Sequence, residues 1–193
     1  NFYDALTTRQ GLGKNTADVE LVDAQSPNSI ETVSKPNKIY MVGDHLMITV
    51  DAVDTATYLI DIDMNDMSMQ SSQFDKPISE FETNTIKSNS YLYDGKLFQC
   101  VVSKDKLIFT TRDVDSKELL KRIEVQRDEP LTIANSAIIQ EGGAYDKYRE
   151  LEKTSQLLRK MTSANPGIAA YKMNGNYEIT LGGSQELQMG GAP

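Results

Sequence analysis

With 28 acidic against 20 basic side chains in 193 residues, a formal charge of −8 and 39% hydrophobic residues, the chain has the composition of a globular protein and not of a disordered one. The acidic balance argues against a nucleic-acid partner, because neutralising backbone phosphates takes clustered Lys and Arg. One cysteine, Cys100, and one histidine, His45, exclude an intramolecular disulfide, a thiolate cluster and a multi-histidine metal centre.

No run reaches the roughly 18 apolar residues that would span a bilayer, and the N-terminus lacks the pattern of a signal peptide. The chain starts at Asn1 and not at Met, which reads as a processed protein or a fragment and leaves export open. Residues 1–37, rich in Asn, Asp, Ser and Thr, read as an extended leader with one strand over Asp18 to Ala24.

From Lys38 the texture changes to short alternating runs. The first block splits into Ile39 to Val42, Leu46 to Val50, Thr57 to Asp63 and Met67 to Phe74; the second into Tyr91 to Tyr93, Leu97 to Val102, Leu107 to Thr111 and Glu118 to Val125. The blocks superpose: "YMVGDHL" at Tyr40 and "YLYDGKL" at Tyr91 are offset by 51 residues, and "YKMNGNY" from Tyr171 repeats the opening once more. Four short antiparallel strands repeating about every 50 residues suggest propeller blades. The expected fold is therefore mainly β, with four-stranded blade-type repeats forming part of a propeller: 38–74 and 90–125 as two blades and 167–183 as part of a third. An amphipathic helix is expected as an insertion at 142–164, with Tyr145, Tyr148, Leu151, Leu158 and Met161 on one face and Asn165-Pro166-Gly167 as its stop. "PISEFETNTI" from Pro77 reads as a short helical connector, and 184–193 as a Gly-rich tail.

Candidate chemistry is thin. Asp61, Asp63 and Asn65 in "YLIDIDMNDMSM" alternate like the first half of a calcium loop, but the sixth position holds Asp66 where a glycine is needed and the twelfth Ser72 where a bidentate Glu is needed. Alternation in a half-buried strand explains them better. His45 reads as a turn residue, Cys100 as a small core residue beside Phe98 and Val102, and the acid pairs Asp51/Asp54, Asp113/Asp115 and Asp128/Glu129 as turn formers. Gly142-Gly143 reads as a hinge, and the eight methionines as packing residues. No catalytic, metal or cofactor residues are assigned, and no cofactor is expected. Tyr91, Tyr93, Tyr145 and Tyr148 are the candidate partner or ligand contacts.

The segment "IIQEGGAYDKYRELEKTSQLLRKMTSANPGIAAYKMNGNYEITLGG", residues 138–183, resembles uncharacterised Gram-negative cell-envelope proteins with a propeller-like region. That resemblance implies export to the periplasm or cell surface. With the absence of an assembled catalytic constellation, it leads to the expectation of a non-catalytic scaffold in an envelope complex, outer-membrane associated and bound to other envelope proteins, without nucleic acid. A glycan- or small-ligand-binding surface protein is the alternative, and a carboxylate-dependent hydrolase the third.

Overall fold

Loops of two to five residues within each run of strands leave adjacent strands no choice but to fold back antiparallel. The computed structural model describes residues 19–23, 26–51, 55–83, 85–132, 134–142 and 148–185. After β1 (Val19–Val22) and the one-turn helix α1 (Ile30–Val33) come β2 (Asn37–Val42), β3 (His45–Val50), β4 (Ala56–Asp63) and β5 (Met69–Asp75). A second meander follows as β6 (Lys87–Tyr93), β7 (Lys96–Val102), β8 (Lys106–Asp113) and β9 (Leu119–Gln126). The chain continues through a short pair, β10 (Ile139–Gln140) and β11 (Arg149–Glu150), to helix α2 (Thr154–Ser163) and a long hairpin, β12 (Asn165–Met173) with β13 (Asn176–Ser184).

The two meanders are built alike down to their turns. The first hairpin turns are the exception: Asp94-Gly95 in the second meander, like Asn174-Gly175 in the β12–β13 hairpin, has positive φ at both central residues, whereas Gly43-Asp44 in the first meander has it at Gly43. The third and fourth strands of each meander are joined through a left-handed residue at the same place, Met67 (φ 61°) and Lys117 (φ 61°). Each of these turns is closed by a matching backbone bond, Asp63 N–H to the Ser68 carbonyl and Asp113 N–H to the Glu118 carbonyl, both 3.0 Å.

Three layers stack. The first sheet turns Tyr40, Leu59 and Phe74 toward the second, where the Tyr40 and Tyr91 rings meet edge to face at 5.8 Å. The face of the second sheet that carries Tyr91, Tyr93, Phe98 and Phe109 is covered by the β12–β13 hairpin, whose Tyr177 lies 5.9 Å from Phe98. Helix α2 sends Leu158 and Met161 into the same core. This apolar burial is the main stabilising term.

The molecule is mainly β, as expected, with small antiparallel sheets and two α-helices; neither a closed barrel nor a propeller ring is formed among the described residues. Two expectations need correction. The first sheet has five strands, not four, because β1 adds to β2 in parallel, Val19 opposite Asn37 through Val22 opposite Tyr40. The helix expected over 142–164 begins only at Thr154: Arg149 and Glu150 pair with Gln140 and Ile139, and Leu151 N–H donates to the Ile138 carbonyl at 2.8 Å, which holds these residues extended. Gln156 then sets the helix start, its Oε1 accepting the Glu152 and Lys153 N–H groups at 3.0 and 3.2 Å. The connector after Pro77 is a 3₁₀ turn, Ile78–Glu80.

Candidate anion-binding cavity

The residues that alternation made conspicuous serve turns and strands. His45 opens β3, its Nδ1 2.8 Å from Asp61 Oδ1 on the neighbouring strand, and the hydrogen bond to Asp61 raises its pKa. Asp63 accepts the Asn65 N–H and Asp66 the Ser68 N–H, both at 2.8 Å; Asp113 accepts the Ser116 N–H at 2.9 Å in the second sheet. Backbone donation holds the Asp66 and Asp113 carboxyls below the usual range. No group of three or more His, Cys, Asp or Glu residues able to hold a metal is assembled among the described residues. Burial pushes the Cys100 thiol up to about 12.

Of the four tyrosines, Tyr91 is buried in the core and its hydroxyl accepts from Asn28 at 2.9 Å. Tyr93 packs with Tyr171 and Tyr177 at the edge of the third layer. Tyr148 is exposed, and Tyr145 lies outside the described residues.

A buried set of ionisable groups is sealed between the two large sheets. Asp51 accepts from Lys76 Nζ at 2.9 Å, from Ser90 N–H at 2.8 Å and Oγ at 2.6 Å, and from Thr57 at 2.7 Å. Desolvation drives its pKa upward, but the charges of Lys76 and Lys38 and these hydrogen bonds outweigh it, and the net shift is down. Lys38, hydrogen bonded to Asn89 at 2.5 Å, is pulled down to about 8 by burial, with Lys76 reinforcing and Asp51 opposing. The side chains of Asp51 and Lys76 have no exposed surface. A substrate has no route to them, so this cluster pins the sheets together.

An accessible concentration of charge lies elsewhere. Lys104, Arg127, Lys153, Ser155, Gln156 and Arg159 line a cavity of about 430 Å³, with no carboxylate among its described lining residues. Three separate segments supply it. Lys104 sits in the β7–β8 turn, closed by Ser103 N–H to the Lys106 carbonyl at 2.8 Å. Arg127 follows β9, its N–H bound to the Asp105 carbonyl at 2.8 Å and its Nη1 3.2 Å from Asp105 Oδ1. Lys153, Ser155, Gln156 and Arg159 belong to the start of α2, which Thr154 ties to the segment after β9 by donating to the Glu129 carbonyl at 2.5 Å. Ser155 and Arg159, four apart, share a helix face. The positive end of the helix dipole adds to the field of these cations. Such a site suits an anion with several oxygens.

No family model and no solved structure is a significant match to the chain. The chain resembles ribosomal proteins. It is 31% identical over 103 residues to large ribosomal subunit protein bL25 of Borreliella afzelii (strain PKo), an alignment covering 49% of this chain and 53% of that protein. The same protein from Borreliella burgdorferi (strain ZS7) is 30% identical over the same length. The chain thus spans about half the length of the curated relatives it matches. This similarity corrects the reading from sequence: an outer-membrane-associated envelope scaffold, a glycan-binding surface protein or a hydrolase, with an extracytoplasmic place, envelope partners and no nucleic acid, is at odds with relatives named as ribosomal proteins. Net charge averages over the chain and does not register a local cluster of cations. Lys104, Arg127, Lys153 and Arg159 went unnoticed because no two of them are adjacent in sequence; the one local signal was Lys153 and Arg159 flanking the first turns of a helix.

Proposed function

We propose that the chain is a non-catalytic, ribosome-associated structural protein that holds RNA backbone phosphates in the Lys104–Arg127–Lys153–Arg159 cavity. The observation that carries this reading is the cavity itself: a chain of net charge −8 places four cations around one opening, with Asp105 paired to one of them, Arg127. Arginine forks and lysine ammonium groups pair with phosphate oxygens by charge-assisted bonds, and a helix start is a favourable neighbour for an anion. The similarity to large-subunit proteins supports RNA as the source of the phosphate. In the same proposal the two meanders are propeller-type blades, a reading supported by their matched turns at Met67 and Lys117.

The test is binding of the purified chain to large-subunit ribosomal RNA across a salt series. Four phosphate contacts on single-stranded RNA give a slope of log affinity against log salt of about −3, and the double reversal Arg127→Glu/Arg159→Glu removes most of it. Absence of binding at low salt, or a slope unchanged by the reversal, overturns the proposal.

A further inference from the structure

The first sheet has a second face that lies outside the main core cluster, with Val50 and Ile60 buried on it and other apolar side chains exposed. Two rows of side chains cross it in register: Met41 opposite Leu46, Leu46 opposite Ile62 and Ile62 opposite Met69; and, beside them, Leu21, Ile39, Ile48 and Ile60 on consecutive strands. The apolar residues of the first row, with Leu21, Ile39 and Ile48, stand outside the hydrophobic core cluster. Leu21 is 67% exposed, Met41 46% and Met69 63%. No charged side chain interrupts either row.

The second sheet shows what this face does in the repeat. Met41 corresponds to Leu92 and Leu46 to Leu97, and those residues, at 3% and 0% exposure, are covered because the first sheet packs on them. The face is thus of a kind that receives another sheet. The inward face of the first sheet is covered by the second, and that of the second by the β12–β13 hairpin. A second copy therefore offers this same face as the matching surface, which is the geometry of a two-fold contact in which one patch meets itself.

We infer that two copies of the chain pair back to back through the Met41–Leu46–Ile62–Met69 face. Five strands about 4.8 Å apart, with six residues rising about 3.3 Å each, make a footprint of roughly 480 Å². Two copies then bury about 1,000 Å², the lower end of specific interfaces, so the dimer is weak and concentration-dependent. Uncharged rows also give two acidic chains a place to meet without opposing carboxylates.

Sedimentation equilibrium of the purified chain from about 1 to 200 µM, the range in which an interface of this size associates, is expected to show mass rising from one chain to two. Met41→Lys and Met69→Lys, both at exposed positions that tolerate a polar side chain, each weaken the dimer tenfold or more. Should either variant fold poorly, methyl NMR of the unaltered protein reads the same contact: the Met41 and Met69 methyl signals shift with concentration while that of the core residue Met161 stays. A chain that remains monomeric throughout, including one that awaits a sheet from a different protein, overturns the inference, as does a dimer indifferent to both substitutions with unmoved Met41 and Met69 methyls.

Discussion

Replacing Asp51 with alanine removes the carboxylate that faces Lys76 at 2.9 Å inside a sheet interface where neither side chain has exposed surface. Breaking a buried ion pair from one side costs about 3–5 kcal/mol, since the remaining charge has lost its counter-ion without regaining water. Lys76 keeps the Ser88 hydroxyl at 2.9 Å, which places the expected loss near the lower end. The Ser90 N–H and hydroxyl and the Thr57 hydroxyl also lose their acceptor. At about 2–4 °C per kcal/mol for a chain of this size, the midpoint falls by roughly 6–12 °C. Thermal and urea unfolding followed by circular dichroism measure it. The double variant Asp51→Asn/Lys76→Met is expected to recover part of the loss, because an uncharged pair of similar volume has no buried ion left to solvate. The sign with pH follows from the depressed carboxyl: its stabilisation is complete above the ordinary carboxylate range and is lost as pH falls through and below it. A loss under about 1 kcal/mol for Asp51→Ala would refute the account of this cluster as the pin between the sheets.

Lys38 gives a second pH signature of the same sign in a more alkaline window. Its folded pKa of about 8 lies below the ordinary 10.5, so between those values the unfolded chain binds the extra proton and stability rises with pH, by up to about 3 kcal/mol; urea midpoints from pH 7.5 to 10 record the rise, and Lys38→Met abolishes it. The buried Cys100 thiol, held up at about 12, is expected to resist a thiol reagent at pH 8 in the native protein and to react at once in denaturant. Met67 and Lys117 hold left-handed backbone without being glycine. Met67→Gly and Lys117→Gly should therefore each relieve local strain and leave stability unchanged or raise it by about 0.5–1 kcal/mol, the gain in native conformation offsetting the greater freedom of the unfolded chain; a loss above about 1 kcal/mol would show that these turns carry no such strain.

Much of the β architecture was legible because strand alternation and turn residues are local. "YDGKL" and "YKMNGNY" announce hairpins at Asp94-Gly95 and Asn174-Gly175, and the acids of "YLIDIDMNDMSM" read correctly as residues of strand and turn, with Asp63 and Asp66 capping backbone N–H groups. What depends on distant partners was not legible. The parallel addition of Val19–Val22 requires knowing which edge is open. The helical spacing of Tyr148 and Leu151 was overridden by pairing with Ile138 to Gln140, a tertiary effect that outweighs local periodicity. The cavity draws on a turn, a post-strand segment and a helix start, and only the packing of α2 brings Arg159 toward Lys104 and Arg127.

The polar pin between the sheets also bears on the order in which the molecule forms. Within each meander, every strand pairs with its immediate neighbour in the chain across a short connection, so each can close early at small entropic cost. The bonds that join the layers reach much farther: Asp51 to Ser90 spans 39 residues, Lys38 to Asn89 spans 51 and Asn89 to Pro166 spans 77. Asn89 lies at the meeting point, donating to the Ser34 and Pro166 carbonyls while accepting from Lys38. Meanders would then assemble first and dock late, with Asn89 as the latch, and kinetics of an Asn89→Ala variant should show faster unfolding with refolding little changed.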